Sequence, residues 1–276
     1  MDDFASHIDA LQRVGITSCV FMTECASTQD VARDLLQAGC KPFTVVVADK
    51  QSQARGTHGR MWIDQATAGI ATSVIVAVPP RAGYAPWLTA AAAIACVQAL
   101  RPVVELPPRL KWPNDVLLDQ TKVAGVLTEQ PSGHPFAIIG LGLNVTRAPD
   151  DVRTPATAVA YWSSHRPDRG ALWESWLTEL FHLVNLLYRG RVDVIREAWR
   201  LSLDSVGRRI ELTFDGRLVE GVATAVDSRG ALIVRLDTGG TIRLQPGAAV
   251  TVTHRGERLD PKELRERSRR LSDRRS

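Results

Sequence analysis

The sequence has few of the residues that build disulfide frameworks and zinc sites. Its 276 residues include 4 cysteines and 6 histidines. No two cysteines form a Cys-x-x-Cys pair, and no histidine stands at zinc-ligand spacing, so neither feature is predicted. A hydrolase is also disfavoured, because no Ser/His/Asp or Cys/His constellation emerges. We expect reduced thiols that pack as small core residues: Cys19, Cys25, Cys40 and Cys96.

The sequence also lacks a long hydrophobic run. The longest run, residues 87–100, is flanked by Pro86 and Arg101 and is too short to span a bilayer, so we interpret it as a buried helix. The acidic residues 1–4 lead into no apolar segment of the kind found in signal peptides. We therefore expect a soluble, cytoplasmic protein without membrane contact.

Most of the chain lacks an excess of either charge. The formal net charge is +4, and residues 255–276 alone hold nine basic and five acidic residues, so the rest of the chain is neutral. A nucleic-acid-binding face would show as a basic patch on the fold itself. We expect no specific DNA binding, and we interpret the basic tail as a disordered, solubilising extension.

The composition, 45% hydrophobic and 23% charged, can fill a sizeable core. Strand-like and helix-like patterns alternate over the first two thirds, with helical spacing of apolar residues at 172–187. After residue 206 the chain turns to five short β runs separated by glycine-containing turns, which is typical of a small barrel. We predict an α/β domain over residues 14–203, a small SH3-like barrel over 204–254 and a basic tail over 255–276.

A β-hairpin with unusual polar residues lies at the centre of the chain. Two apolar runs, 116–118 and 123–127, are joined by a polar turn, and Pro113 disfavours a helix before them. The lead-in segment Lys111-Trp112-Pro113-Asn114-Asp115 brings a cation, an amide and a carboxylate near a second cation, Lys122. Small residues after Lys122 leave room for a ligand. Each of these residues alone is compatible with a solvated hairpin.

A second polar segment, residues 51–62, combines two glycines with two arginines. Gly56 and Gly59 allow the backbone to approach a phosphate, and Arg55 and Arg60 can pair with it bidentately. Taken alone, such a loop is as often a surface turn as a phosphate site.

Together these segments resemble the biotin protein ligase family, in which Lys-Trp-Pro-Asn-Asp precedes a Lys-x-(Ala/Gly)-Gly strand. Residues 51–62 are similar to the adenylate loop of that family, although Ala54 stands at its first glycine and Thr57 and His58 stand where basic residues often occur. Ser27-Thr28-Gln29 resembles the family's Ser-Thr-Asn segment, and Gly140-Leu141-Gly142-Leu143-Asn144 resembles its Gly-x-Gly-Ile-Asn wall. The resemblance covers roughly residues 14 to 254.

The resemblance implies an α/β (α+β) catalytic domain with a mixed central sheet and flanking helices, plus a small C-terminal SH3-like β-barrel. It implies an enzyme that uses ATP and Mg²⁺ to activate biotin as biotinyl-AMP and then biotinylates a lysine of a biotin carboxyl carrier protein of acetyl-CoA carboxylase. A monomer and a homodimer are both compatible with it.

The resemblance also implies residue roles. Lys122 would neutralise the carboxylate and the α-phosphate, with Arg55 and Arg60 on the phosphates. Two roles stay open for Asp115, which are holding Mg²⁺ and orienting the incoming lysine. Trp62 and Trp112 are candidates for loop anchoring or adenine packing. The biotin-binding set is Ser27, Thr28, Gln29, Gln51, Arg55, Gly56, Thr57, Lys122, Gly125, Leu127, Gly140 and Gly142. The ATP-binding set is Arg55, Arg60, Trp62, Lys111, Asn114 and Asn144.

Other functions remain open at this point. A lipoate or octanoate ligase on the same fold would carry a longer apolar tunnel in place of the polar groups of Ser27 and Gln51. A biotin-sensing transcriptional repressor would need an N-terminal helix-turn-helix domain, and only 26 residues precede Ser27. We therefore expect a monofunctional ligase without that domain. A non-enzymatic barrel adaptor would leave the charged loop unexplained.

Overall fold

Two β-sheets organise the chain. The computed structural model describes residues 2–63, 66–78, 85–131, 134–150, 155–214, 217–246 and 251–254. The predicted basic tail, 255–276, lies outside the described residues. None of the helices in the described part has the length and hydrophobicity needed to cross a membrane.

The first sheet has seven strands in the order β1-β2-β3-β7-β6-β5-β4. β1 and β2 are parallel and all other neighbouring pairs are antiparallel, which confirms the predicted mixed sheet. Its strands are β1 Ser18–Cys25, β2 Thr44–Gln51, β3 Gly69–Ala77, β4 Arg109–Lys111, β5 Asp115–Leu118, β6 Thr121–Glu129 and β7 Phe136–Asn144. The helices are α1 Asp2–Ala5, α2 Ile8–Val14, α3 Thr28–Gln37, α4 Ala85–Leu100, α5 Arg169–Tyr188 and α6 Val192–Ser202.

Helices cover both faces of this sheet because its central strands are apolar on both sides. Alternate residues of a strand point to opposite faces. Val46, Ile75 and Ile138 pack in one cluster with Ala32 and Leu36 of α3. The neighbouring residues on the same strands belong to the larger core, which α4 and α5 share on the other face. The site described below lies on the α3 face, beyond the start of that helix.

The C-terminal part forms a second, antiparallel sheet, as expected for an SH3-like unit. Its order is β11-β10-β9-β8-β12, and leucine, isoleucine and valine side chains fill its inner face. The pairings among described residues leave β11 and β12 as the two edges, so closure into a barrel is not observed in them. The strands are β8 Arg209–Phe214, β9 Arg217–Val226, β10 Leu232–Leu236, β11 Thr241–Leu244 and β12 Thr251–His254.

The cysteines are less uniform than predicted. Cys96 is buried in α4, and burial raises the pKa of its thiol to about 12. The other three are only half-buried, and two of them, Cys19 and Cys40, still pack against the core clusters, so the expectation is met fully by Cys96 and in part by these two. Burial still raises the pKa of Cys19 to about 11, which makes that thiol a poor nucleophile near neutral pH.

The N-terminal segment is an integral part of the fold, although the predicted catalytic domain begins only at residue 14. Helices α1 and α2 pack against α5, and the side chains of Phe4 and Leu11 are fully buried. The Phe4 ring meets the Trp173 ring edge-on at 5.2 Å, and the Arg169 guanidinium lies over it at 4.8 Å. A segment this short is recognisable as core only when its distant partners are known.

We expect Phe4→Ala to lower the free energy of unfolding by about 3 kcal/mol, because it leaves a cavity against Trp173 and Arg169. Urea denaturation measures the change. Leu218→Ala is the matched control, since Leu218 is 62% exposed and its truncation should change stability by less than about 0.5 kcal/mol. Equal stability of the Phe4 and Leu218 variants would mean that the N-terminal helices do not hold α5 in solution.

Candidate functional site

A cleft of about 480 Å³ opens on the α3 face of the seven-stranded sheet. Its floor is bare backbone, because Gly140 and Gly142 follow Ile138 on the same face of β7. Gly125 pairs with Gly142, so the floor extends from β7 onto the neighbouring strand β6. A Cβ atom at Gly142 would lie 2.5 Å from the indole of Trp62, so only glycine fits there. The Trp62 indole already lies over Gly142, so this floor accommodates a planar ring.

The structure brings the whole predicted biotin-binding set to this one cleft. Three members of the predicted ATP-binding set, Arg55, Trp62 and Asn114, also line it. The lining members of the biotin-binding set are Ser27, Thr28, Gln29, Gln51, Arg55, Gly56, Thr57, Lys122, Gly125, Leu127, Gly140 and Gly142.

One end of the cleft is a rigid polar corner at the start of α3. Ser27 is the N-cap of that helix, and its hydroxyl accepts a hydrogen bond from the backbone N–H of Gln29 at 3.3 Å. The Thr28 N–H donates to Oε1 of Gln51 at 2.8 Å, and the Thr28 hydroxyl lies 2.8 Å from that of Ser73. A capped helix end thus holds several hydroxyl and amide groups in fixed positions.

Sequence reasoning missed Ser73, which is fully buried in β3 and lines the cleft. The sequence around it indicates a strand but gives no sign of a binding site. Ser73 is a small polar residue on the same face of β3 as Ala71, and both residues pair with glycines of β7. This combination was the available signal. That signal becomes informative only when the pairing of β3 with β7 is known.

Gln29 faces the floor at this end with an unsatisfied acceptor. Its Oε1 atom is buried and has no hydrogen-bond partner among the described residues. Its Nε2 donates to Glu129 at a long 3.4 Å, and the amide lies beside Gly140. Buried polar atoms are normally paired, so a ligand N–H would complete this corner.

Arg55 is engaged at the mouth of the cleft. Its guanidinium pairs with Asp30 of α3 at 2.9 Å and with Glu129 of β6 at 3.2 Å. Arg33 pairs with the same two carboxylates at 2.8 and 2.9 Å. This cluster of two cations and two anions ties the start of the loop to both walls, and it leaves the Arg55 charge largely compensated.

The rest of the loop folds back on itself. The Gly56 N–H donates to the Arg60 carbonyl at 2.7 Å, and the Trp62 N–H donates to the Ala54 carbonyl at 2.9 Å. The exposed Arg60 side chain donates to the carbonyl and the hydroxyl of Thr57 at 3.2 and 3.1 Å. Ala54 is not among the residues with positive φ, so its methyl group introduces no backbone strain at the family's glycine position.

Three charged side chains from β4, β5 and β6 meet at the other end of the cleft. The Asp115 carboxylate lies between two ammonium groups, 2.5 Å from Lys122 and 3.6 Å from Lys111. Burial alone would raise the pKa of Asp115, but the charges of Lys122 and Lys111 outweigh burial and hold that pKa below its ordinary value. Burial lowers the pKa of Lys111, which Asp115 opposes only in part. The cluster carries a net positive charge.

An irregularity in the hairpin aims Lys122 into the cleft. The pairing of β5 with β6 slips between Val116 and Leu117, which is a β-bulge. Lys122 and Gly125, three positions apart, therefore share a face, and the Lys122 ammonium lies close over Gly125. It also lies 5.5 Å from the centre of the Trp62 ring, so cation and indole cover this end of the floor together.

Three other predicted site residues, Asn114, Asn144 and Trp112, make hydrogen bonds within the fold in this structure. The Asn114 amide donates to the Val126 carbonyl at 2.5 Å and closes the hairpin. The Asn144 amide donates to the Thr157 carbonyl at 3.1 Å, and Asn144 does not line the cleft. Trp112 is 2% exposed and packs against the second sheet, where its indole N–H donates to the Gly230 carbonyl. It is therefore not placed for adenine packing or loop anchoring.

The described residues do not form a resident metal site. Among residues 2–254, apart from the gaps given above, no group of three His, Cys, Asp or Glu side chains could hold an ion. Asp115, the candidate Mg²⁺ ligand, already has both oxygens facing lysine ammonium groups. This environment does not fit direct metal ligation by Asp115.

Two family models match the chain. Residues 22–145 match the model described as the biotin/lipoate A/B protein ligase family, and residues 206–255 match the biotin protein ligase C-terminal domain. The first match contains the polar corner, the loop and the charged cluster, and the second covers the C-terminal sheet.

Relatives and solved structures agree with the two family models. The biotin–[acetyl-CoA-carboxylase] ligase of Mycobacterium tuberculosis is 33% identical over 251 residues, which cover 88% of this chain and 88% of that protein. The fold is similar to that of a biotin protein ligase from Aquifex aeolicus in complex with biotin and ATP, with a TM-score of 0.74, 22% identity, and coverage of 87% of this chain and 100% of that one. The Leishmania major ligase in complex with biotinyl-5-AMP is 26% identical, with a TM-score of 0.60 over 83% of this chain and 98% of that one. The chain therefore belongs to the biotin protein ligase family.

Proposed function

We propose that the chain activates biotin with ATP as biotinyl-AMP and transfers the biotinyl group to a lysine of a carboxylase biotin carrier domain. The observation that carries this proposal is a single cleft in which a neutral polar corner and a cationic cluster stand at opposite ends of a glycine floor. Biotin has the same polarity, with a ureido ring at one end and a carboxylate at the other. The Mycobacterium tuberculosis relative is named for acetyl-CoA carboxylase, so the carrier of that enzyme is the proposed acceptor.

The polar corner binds the ureido ring in this proposal. Oε1 of Gln29 is a buried acceptor without a partner, and it can receive a ureido N–H. The hydroxyls of Ser27 and Thr28 are held by the helix cap and by Gln51, so ordering them on binding costs little conformational entropy. The fused rings then lie on the backbone of Gly140.

The cationic end accounts for the first chemical step. Attack of the biotin carboxylate on the α-phosphate of ATP brings two anions together, and the transition state gains from fixed positive charge. Lys122 lies over the floor glycine at this end, and Lys111 is half-buried next to Asp115. The exposed guanidinium of Arg60 is 3.1 Å from the Thr57 hydroxyl and is available to meet the outer phosphates.

Asp115 has a positioning role in this scheme. Its carboxylate holds Lys122 at 2.5 Å and separates that ammonium from the one on Lys111. Mg²⁺ enters as a complex with ATP, because the Asp115 environment does not fit a resident ion. Arg55 anchors the loop through Asp30 and Glu129 instead of contributing an uncompensated charge.

The second step needs no covalent intermediate with the enzyme. Once the biotinyl-AMP lies in the cleft, the lysine amine of the carrier attacks the acyl carbon and AMP leaves. Holding the two reactants together in the right geometry can supply most of the acceleration. The exposed rim residues Met61 and Ile63 flank Trp62 at the loop, where the carrier would approach.

The direct test is biotin-dependent exchange of pyrophosphate into ATP. We expect exchange with biotin and Mg-ATP and none above background with lipoate or octanoate, because the cleft offers a polar corner where those acids are apolar. Transfer to a purified carrier domain should then label one lysine. Exchange that is faster with lipoate than with biotin would contradict the proposal and assign the chain to the lipoate branch of the matched family.

We expect Lys122→Ala to slow this exchange on the order of a hundredfold, because it removes the cation over the floor glycine from an anionic transition state. The rate of pyrophosphate exchange at saturating biotin measures the change. Lys41→Ala removes an exposed lysine before β2 and should leave the rate unchanged. If the Lys122 variant exchanges as fast as the Lys41 variant, Lys122 is not the activating cation.

Asp115→Asn should destabilise the fold by about 3 kcal/mol at neutral pH, because two ammonium groups then face each other without an anion. The pKa of Asp115 is lower in the folded chain than the ~3.9 expected when unfolded. Its contribution is therefore complete above that value and is lost as pH falls through the folded pKa. The difference in the free energy of unfolding between wild type and variant should be constant from pH 7 to about 5 and shrink below about pH 4.

Urea denaturation at several pH values measures this difference. Asp34→Asn in α3, which replaces an exposed carboxylate, is the matched control and should show little change at any pH. A difference for the Asp115 variant that already shrinks between pH 7 and pH 5 would contradict the lowered pKa.

A further inference from the structure

A hydrogen-bond chain links the C-terminal sheet to the segment that carries the cationic cluster. The backbone N–H of Trp112 donates to the Ser205 hydroxyl at 2.9 Å. The same hydroxyl oxygen lies 2.9 Å from Nε2 of His254, the last residue of β12. Ser205 is fully buried and the His254 side chain is 8% exposed, so water does not compete for these bonds.

The direction of the chain follows from its donors and from the tautomer of His254. A backbone N–H has one proton and can only donate, so the Ser205 oxygen accepts from Trp112. The hydroxyl proton of Ser205 is then free to donate to Nε2 of His254. That bond requires the neutral His254 tautomer that carries its proton on Nδ1, and the Asp204 carboxylate in front of Nδ1 favours this tautomer. Nδ1 faces the Asp204 carboxylate at 3.7 Å.

The charges around His254 favour the same neutral form. Burial and the positive charges of Lys111 and Arg208 together lower the pKa of His254 to about 4, while Asp204 and Asp115 act in the opposite direction. Arg208 holds Asp204 through two hydrogen bonds of 3.0 Å, so that carboxylate is already paired. His254 is thus a neutral acceptor throughout the range in which the protein would act.

The segment that this chain fixes leads directly to the catalytic cluster. Trp112 follows Lys111 and precedes the turn to Asp115. The Asp204 N–H donates to the Leu110 carbonyl at 2.8 Å, and the Trp112 indole is bonded to Gly230. The segment between Leu110 and Asp115 is therefore held from the C-terminal side through two backbone groups and the Trp112 indole.

We infer that Ser205 and His254 are positioning residues for the adenylation step. They orient the Trp112 backbone and, through it, Lys111 and Asp115, so that the charge cluster is aligned only when the C-terminal sheet is docked. Neither residue lines the cleft, so they act on the reaction and not on biotin binding. This inference rests on the proposed function, because it assigns the residues to the adenylation of biotin.

The first experiment compares Ser205→Ala with Ser202→Ala in the full chain. Ser202→Ala loses an equivalent hydroxyl, which in the described part of the chain donates to the Ala198 carbonyl within α6. For Ser205→Ala we expect kcat of biotin-dependent pyrophosphate exchange to fall roughly tenfold, because a misaligned reacting group slows the reaction without losing the substrate. The KM for biotin should stay within about twofold of wild type. Ser202→Ala should match wild type in both.

The second experiment leaves Ser205 in place and changes its partner. His254→Gln keeps an uncharged acceptor within reach of the Ser205 hydroxyl and should retain kcat within about threefold of wild type. His254→Leu removes the acceptor and should lose activity as Ser205→Ala does. The Ser205→Ala/His254→Leu double variant should lose no more than the worse single variant, because both interrupt one chain. If Ser205→Ala does not fold, the two His254 variants carry the test.

Each variant is melted thermally, and exchange is assayed well below the lowest midpoint. The inference is overturned if Ser205→Ala keeps wild-type kcat, if His254→Gln loses as much as His254→Leu, or if the two losses multiply in the double variant. It is also overturned if KM for biotin rises as much as kcat falls, which is the result of a merely structural role. A wild-type chain without biotin-dependent exchange would overturn the proposed function and this inference with it. A wild-type chain that exchanges, with variants that match it, would overturn the inference alone.

Discussion

The placement of one carboxylate between two ammonium groups is the constraint on which this site depends. Lys111 and Lys122 could not share a partly buried corner of the fold without Asp115 between them, since like charges at this range repel strongly where water is scarce. Each of the three residues requires a separate backbone device. β4 supplies Lys111, the Pro113 turn supplies Asp115, and the β-bulge in the hairpin turns Lys122 toward the same point. The result is excess positive charge that is fixed before any ligand arrives.

A second constraint is that the surface beneath this charge has to be flat. The two glycines of β7 and the glycine of β6 remove side chains where apolar residues otherwise cover the α3 face. Such a stretch would weaken an isolated strand, because glycine loses much conformational entropy on folding. Here the strand is paired on both sides, with β3 and β6, and its other face is buried against the main core. The fold can therefore accept a local loss of stability at the position where a ligand needs room.

The sequence predicted the elements well where the pattern is local. The helix predicted over residues 172–187, the hairpin after Pro113 and the five C-terminal strands all lie close to their predicted positions, because periodicity, turns and alternation are short-range signals. It predicted less well where a residue depends on a distant partner. Ser73 joins the site only through the pairing of β3 with β7, and the Trp112 indole is bonded to a turn more than a hundred residues away. The role of Arg55 has the same origin, since its two carboxylate partners come from α3 and β6.

The ion cluster at the mouth of the cleft links these observations. Arg33 and Arg55 share Asp30 and Glu129, so the loop is attached to the walls by pairs that are about a third exposed. Exposed pairs of this kind contribute only modestly to stability, typically about 0–1 kcal/mol each. They can therefore be broken and re-formed at low cost when the loop admits a ligand. The cationic cluster at the other end is more deeply buried and is held by the hairpin and by the C-terminal sheet. The cleft thus combines a cationic end that is rigidly held with a loop that is attached to its walls by partly exposed ion pairs.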